Sequence, residues 1–367
     1  MENTLYIGLD TDSKHIDVAV AEPLPNWEVR YWGQIANAPA SVERLVKRLR
    51  RDGRNLVMCY EAGPCGYGLY RQLNGKAGVR CHVVAPSLTP RRPGDRVKTN
   101  RRDCLSLAKL LRAQELTAIW VPDATHEAMR DLVRTRSAIL TDLTRCRQRI
   151  GGFLLRQGIR YPGKPWTQKH RRWLGQIEFA AAAHRLTLAE LLDALDQARA
   201  RHDRLIDHIR ELTSQWSLAW LVEAVQALRG YKLINAVTVV AEIGDPRRFS
   251  SPRPLMAFLG AVPSEHSTGD NIQRGPITKT GNGRARKALV EAAWTYTRRI
   301  QTPTPTHYPP AVRAIAEKAR HRLSGRYRRL LARGKPSTVA VTAIARESLG
   351  FIWAIAHAAA PETTRSL

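Results

Sequence analysis

Leu5-Tyr6-Ile7-Gly8-Leu9-Asp10 is a short apolar run that ends on a carboxylate, and its reading decides the fold of the N-terminal part of the chain. Runs of this length, rich in branched and aromatic side chains, read as strands. Ile16-Asp17-Val18-Ala19-Val20 and Trp27-Glu28-Val29-Arg30-Tyr31-Trp32 follow closely, so the three together predict an antiparallel meander. From Ala40 to Arg51 the apolar residues Val42, Leu45, Val46 and Leu49 recur at helical spacing, and Asn55 to Tyr60 is a buried-type strand stopping at Glu61. A helix from about Tyr67 to Leu73, a strand from Val79 to Val84 and a helix from Asp103 to Ala113 complete the series. Pro86 to Asn100, rich in Pro, Gly and basic residues, reads as the loop before that last helix.

Three strands, helix, strand, helix, strand, helix is the order of an α/β RuvC/RNase H-like domain, a mixed sheet flanked by helices, over about residues 1–118. Beyond it, Asp123 to Arg156 is highly charged, with Met129, Leu132, Leu140, Leu143 and Ile150 near helical spacing, and Thr187 to Leu212 repeats the pattern. Two such segments, joined by the basic and aromatic connector Lys164 to Trp173, predict a long helical (coiled-coil) arm over 119–215. Residues 216–300, less charged and rich in Ala, Val and Leu, read as a mainly α C-terminal domain, and 301–367 as a basic helical tail.

Fifty-nine Lys and Arg against 32 Asp and Glu give a formal net charge of +27, spread along all 367 residues. A polyanionic partner follows. The expected partner is nucleic acid and not membrane, because no stretch approaches ~20 consecutive apolar residues and no basic-then-apolar leader opens the chain. Five cysteines, an odd number without a CxxC pair, argue against a disulfide framework or a zinc ribbon and fit a reducing cytoplasm.

Three carboxylates stand at element ends: Asp10 and Glu61 at the ends of strands, Asp103 at the start of a helix. Hard divalent cations take oxygen ligands, and two-metal phosphoryl transfer places carboxylates on both sides of a phosphate. Each acid also fits an ordinary surface position. Asn100-Arg-Arg-Asp103 in addition reads as a helix start, with Asn100 as N-cap and Asp103 three residues on.

Gly8-Leu-Asp10-Thr, Tyr60-Glu61-Ala-Gly63, Val97-Lys-Thr-Asn100-Arg-Arg-Asp103, Gly260-Ala-Val-Pro263-Ser-Glu-His-Ser267-Thr268-Gly269 and Gly275-Pro-Ile-Thr-Lys279-Thr-Gly281-Asn282 occur in this order. Together, over about residues 4 to 300, they resemble the DEDD transposases of the insertion sequence 110 family, RNA-guided serine recombinases with a RuvC-like domain. The resemblance implies that Asp10, Glu61 and Asp103 belong to an acidic tetrad holding Mg2+ or Mn2+. The fourth member falls on Asn100, where the family has Asp; an amide oxygen can still ligate, with one negative charge fewer. Asp12 and Asp95 are available to compensate, or to sit in exposed loops.

The family's nucleophilic serine, directly before a glycine, falls on Thr268 by strict alignment. Ser267 precedes it with a less hindered hydroxyl, and either could form a covalent link to a DNA phosphate once activated. A hydroxyl-rich turn before Gly269 is the bland alternative. A serine–histidine pair with the adjacent His266 is disfavoured, since sequence neighbours seldom align their side chains. Gly275 to Gly283 lacks P-loop spacing, and reads as a phosphate-contacting turn with Lys279, Arg284 and Arg286; Arg92, Lys98, Arg101 and Arg102 are the corresponding cations near the acids. Leu228 to Asp245 reads equally as a helix-hairpin-helix or a buried helix pair. Arg44 to Arg54 and Arg320 to Arg333 are basic helical runs, and Trp166 and Trp173 either stack on bases or pack the connector.

The expectation is therefore a DNA-strand-processing transposase of an insertion sequence. What the resemblance adds is a guide RNA encoded by the element, donor and target DNA as substrates, and a homodimer or tetramer. The alternatives are a RuvC-like junction nuclease using metal-activated water, and a non-catalytic nucleic-acid-binding protein.

Overall fold

A computed structural model describes residues 3–23, 27–90, 99–298 and 303–361. The chain divides into two compact units, Met1–Val121 and Pro122–Leu367, each described by itself.

In the first unit, β1 (Thr4–Thr11), β2 (His15–Ala21), β3 (Val29–Ala36), β4 (Asn55–Glu61) and β5 (Val79–Val84) form one sheet in the order β3-β2-β1-β4-β5. β1, β2 and β3 are antiparallel neighbours, while β4 runs parallel to β1 and β5 parallel to β4. The mixed sheet, with helices on its faces, is RNase H-like. One face carries Leu5, Ile7, Leu9, Leu56, Met58 and Tyr60 against α1 (Pro39–Leu49), which contributes its stripe of Val42, Leu45, Val46 and Leu49. Burying each such side chain contributes roughly 1.5–3 kcal/mol.

The other face is covered by α3 (Asn100–Arg112), which turns Cys104, Leu107, Ala108 and Leu111 inward. Residues alternate across a strand, so Gly8 and Asp10 share this face. An ideal Cβ on Gly8 would lie 2.2 Å from the Cys104 carbonyl oxygen, so close does the helix approach β1.

In the second unit, α4 (Ala124–Arg156) and α6 (Ala182–Ser214) are 33-residue helices joined through α5 (Gln168–Leu174). Cys146 meets Ala194 while Met129 and Val133 share a core with Ile209, so the two helices run antiparallel. α7 (Ala219–Gln226), α8 (Leu233–Ile243), α9 (Pro252–Phe258), α10 (Gly283–Ala293), α11 (Pro310–Ala332) and α12 (Ser337–Ala359) pack around a single core. α12 is long and apolar enough to cross a membrane by length and composition, although polar residues interrupt its apolar run; its Val341, Ile344, Leu349, Ile352 and Ile355 are buried in that core. Between α9 and α10 a small hairpin, β6 (Pro263–Glu265) and β7 (Arg274–Ile277), interrupts the helices. The cysteines are free thiols, with Cys59, Cys81, Cys104 and Cys146 buried.

One buried charge network ties this unit together. Glu242 of α8, 2 % exposed, accepts two bonds from Arg134 of α4 (2.9 and 2.8 Å) and one from Asn282 (2.6 Å), whose own Oδ1 caps α10. Burial pushes the Glu242 carboxyl up, but the bonds from Arg134 and Asn282 and the nearby guanidinium charges outweigh it and hold it below the ordinary value of 4.5. A depressed folded-state value stabilises the fold above the unfolded value and loses that contribution as pH falls through the folded one. Urea unfolding from pH 7 to 3 is therefore expected to show a stability advantage of the native chain over Glu242→Gln that is full above about pH 5 and shrinks below 4.5. An advantage constant with pH would refute it.

Candidate functional site

Asp10, Glu61 and Asp103 come to one edge of the sheet for backbone reasons. Leu9 pairs with Tyr60 in the parallel register, so Asp10 and Glu61 are the next residues on adjacent strands. Cys59, two residues before Glu61, directs its thiol to the Leu107 carbonyl of α3, which puts Glu61 on the α3 face as well. Asp103 lies in the first turn of α3, one residue before Cys104, whose carbonyl sits over Gly8. All three carboxylates are half-buried.

Asn100 is the first residue of α3 and exposed. Its expected capping role is corrected: Thr99 is the N-cap, with extended backbone and its Oγ1 accepting from Arg102 N at 3.3 Å. Asp103 accordingly stands one position further in than a capping box requires. Asn100 and Asp103 are three apart on the helix, hence neighbours on its surface.

Asp17 is a fourth acid that the sequence reading left in a strand without a role. It pairs directly with Asp10 across β1 and β2, on the α3 face. It is 4 % exposed and accepts from the Tyr31 hydroxyl at 2.6 Å and Gln34 Nε2 at 3.1 Å. That bond from Tyr31 raises its phenol to about 12. The available signal was the alternation of β2, in which Asp17 shares the inward face of Ala19 and Ala21. Asp12 instead closes the β1–β2 turn, accepting from the amides of His15 and Lys14 at 2.7 and 2.6 Å, bonds that lower its carboxyl in that order. Asp95, Arg92 and Lys98 lie outside the described residues.

The donor set fits a hard divalent cation in type: carboxylates at one sheet edge beside an exposed amide. Among the described residues no three His, Cys, Asp or Glu groups stand close enough to hold a metal ion as they are. Like charges a strand spacing apart repel. Of the basic candidates beside them, Arg101 and Arg102 are exposed, with the Arg101 guanidinium 5.0 Å from the Tyr31 ring centroid.

The second candidate constellation is in the other unit, on the hairpin. His266 N donates to the Gln273 carbonyl, and Thr268 and Asn271 exchange both backbone bonds, so the ladder continues past β6 and β7 to a two-residue turn at Gly269, φ +57°. Ser267 Oγ donates to Glu265 Oε1 at 2.9 Å, and Arg274 Nε donates to Glu265 Oε2 at 3.3 Å. The bond from Ser267, then that from Arg274, hold the Glu265 carboxyl below its ordinary value. Glu265 and Ser267 share one face of the hairpin; Thr268, one residue on, belongs to the other. Glu265 and Arg274 escaped sequence reasoning because a pairing across strands of three and four residues has no periodic signature.

Lys279 and Arg284 are exposed beside this hairpin, whereas the Arg286 guanidinium is engaged with the carbonyls of Leu259 and Thr280 at 2.8 and 2.5 Å. The Gly230 turn between α7 and α8 is closed: a Cβ there would meet the Ala292 carbonyl at 2.5 Å, which favours the buried helix pair over a phosphate-binding hairpin. Trp166 and Trp173 pack around His170 in the connector, Trp173 stacked on it at 5.6 Å.

The chain combines a mixed RNase H-like sheet with acids at one edge and, in its other unit, an exposed serine bonded to a carboxylate, and it is similar to transposases, enzymes that act on DNA. Residues 7–158 match the model of the DEDD transposases, and residues 222–309 that of the transposase IS116/IS110/IS902 family. The "Putative transposase y4qE" of Sinorhizobium fredii (strain NBRC 101917 / NGR234) is 48% identical over 98% of this chain and 90% of its own length. The transposase for insertion sequence element IS1533 of Leptospira borgpetersenii is 28% identical over 90% of this chain and 97% of its own. That for element IS1111A of Coxiella burnetii (strain RSA 493 / Nine Mile phase I) is 23% identical over 56% and 57%. The chain belongs to the IS116/IS110/IS902 transposase family.

Proposed function

We propose that this transposase cleaves and rejoins DNA strands through a covalent protein–DNA intermediate, with a RuvC-like acidic site as its metal centre. The observation that carries the reading is the Ser267 hydroxyl, exposed on a hairpin turn and already donating to Glu265 at 2.9 Å. A hydroxyl whose proton is directed into a carboxylate turns its lone pairs outward, toward an incoming phosphorus. As the Oγ–P bond forms, the proton moves along the existing bond to Glu265 Oε1, and the P–O bond to the leaving strand breaks. Arg274 keeps Glu265 in place and presents a cation at the hairpin. The opposite faces of Ser267 and Thr268 allow only one of them to meet a given phosphate, and the bond to Glu265 favours Ser267, while family alignment favours Thr268.

Asp10, Glu61 and Asp103, with the Asn100 carbonyl, would hold Mg2+ or Mn2+. Such an ion polarises phosphoryl oxygens and stabilises charge on attacking and leaving groups. Lys279, Arg284, Arg101 and Arg102, with Arg92 and Lys98 earlier in the sequence, contact nucleic-acid backbone in this reading. Residues 119–215 serve as a coiled-coil arm that supports a homodimer or tetramer, and 216–300, with the helices of 301–367 packed into the same core instead of forming a separate basic tail, as the nucleophile-bearing domain. An element-encoded guide RNA pairs with donor and target DNA, in a bacterial cytoplasm.

The test is to trap the adduct. Denaturing the reaction on labelled DNA should yield a covalent protein–DNA species that maps to Ser267, vanishes in Ser267→Ala and persists in Thr268→Ala. The converse pattern would transfer the role to Thr268. Full strand cleavage in both variants would refute the covalent mechanism.

A further inference from the structure

Beside the hairpin, in the same unit, lies a groove of about 580 Å³ between β7, α11 and the first half of α12. Its lining includes the apolar Met256, Ile277 and Val339 together with the cations Lys279, Arg322, Arg326 and Arg346 and a single acid, Glu347. Glu347 is held by Arg322 and by Arg326, the latter at 3.0 Å. Arg346 has no ion-pair or hydrogen-bond partner among the described residues, and it is half-buried. Cations in this excess without a protein counter-charge leave a site complementary to an anion.

The Lys279 backbone is held beside this groove, its amide donating to the Gly260 carbonyl at 3.0 Å. Gly260 (φ +59°) and Gly281 (φ +71°) cross so tightly that a Cβ on either would lie 2.1 Å from a backbone oxygen of the opposing segment. Arg286 adds bonds to both segments. This crossing imposes φ +57° on Lys279 itself, a strained conformation for a residue with a side chain, costing about 1–3 kcal/mol. Strain of this kind persists where the surroundings over-determine it, and it gathers at functional sites.

We propose that this groove binds a single strand of DNA, phosphates on its cations and base faces on its apolar side chains, and leads it to the hairpin hydroxyls. A duplex has no free base faces to cover such a surface, whereas single-strand sites combine a positive groove with side chains, elsewhere aromatic, that cover base faces; here the aliphatic Met256, Ile277 and Val339 would take that place. Arg322, Arg326 and Arg346 lie past residue 309, where the family match ends. The inference rests on the reading that the hairpin acts on DNA.

A photo-crosslinking residue at Val339, a groove-lining side chain 53% exposed, is tested in the full chain against one at Leu186, 67% exposed on α6. A labelled single-stranded oligodeoxynucleotide is expected to crosslink several-fold more at Val339, and an oligoribonucleotide of the same sequence less. In a salt titration, R346Q combined with K279Q should flatten the slope of log K against log[salt] by about 1.4, that is ~0.7 for each phosphate no longer neutralised. Equal crosslinking at the two positions, preference for the RNA, or an unchanged slope would overturn the proposal. The adduct experiment fails separately: crosslinking at Val339 with no covalent adduct in the native chain would sink the hydroxyl mechanism and leave the groove a DNA site.

Discussion

Asp10→Asn is expected to reduce strand cleavage by about 10³-fold while leaving the fold as stable as before or slightly more so. The first half follows from ligand chemistry. An amide at this position keeps the shape and one oxygen but removes a full negative charge from the centre of the edge, between Glu61 and Asp17 on the neighbouring strands. Losing several kcal/mol of charge stabilisation in phosphoryl transfer, at about 1.4 kcal/mol per factor of ten, gives that reduction. The second half follows from repulsion. Strands lie about 4.8 Å apart, and at an effective dielectric near 20 two carboxylates about 5 Å apart repel by roughly 3 kcal/mol. Neutralising one relieves that cost when no cation is bound. Cleavage assays across a Mg2+ series, set beside thermal unfolding without metal, check both halves; a variant that cleaves normally, or that unfolds well below the native chain, refutes the assignment. The reverse change, Asn100→Asp, is expected to shift the Mg2+ dependence to lower concentration, because it adds the charge that this chain lacks.

The N-terminal unit was legible because its physics is local. Short apolar, buried-type runs specify β1, β2, β4 and β5, and the stripe of Val42, Leu45, Val46 and Leu49 specifies α1 to within two residues of its observed ends. The three acids could be placed together because each stands at an element end, where register and not side-chain detail decides position. What depended on detail was not legible. Thr99, not Asn100, caps α3, a choice set by which residue takes extended backbone. Asp17 looked like a polar interruption of a strand, although Tyr31 and Gln34 satisfy it beside Asp10. The hairpin carrying Ser267 has strands too short for any period, so its pairing of Glu265 with Arg274 emerges only in three dimensions. Nor does a run of Ala, Val and Ile tell whether α12 faces lipid or a protein core; the helices packed around it answer that.

The largest structural effect is expected from Gly8→Val, and it should remove activity along with it. A Cβ at Gly8 would sit 2.2 Å from the Cys104 oxygen and 2.4 Å from the Ala108 nitrogen. Both are backbone atoms, so no rotamer change relieves the clash; either β1 bends or α3 lifts away. Overpacking in a core costs about 1–3 kcal/mol when side chains can adjust, and more when they cannot. Lifting α3 also exposes Cys104, Leu107 and Ala108 and carries Asp103 and Asn100 away from Asp10 and Glu61. A displacement of about 1 Å at reacting groups can cost a hundredfold in rate, so cleavage should fall even at temperatures where the sheet survives. Hydrogen exchange should show the α3 amides losing protection first, with α1 on the opposite face retaining more. Gly151 is the control: it lies within α4 and a Cβ there meets nothing within 4 Å, so Gly151→Ala should gain up to about 1 kcal/mol from helix propensity alone. If Gly8→Val instead matched Gly151→Ala in unfolding and in cleavage, α3 would not be the lid that sets Asp103 against Asp10, and the acidic edge would lose its structural basis.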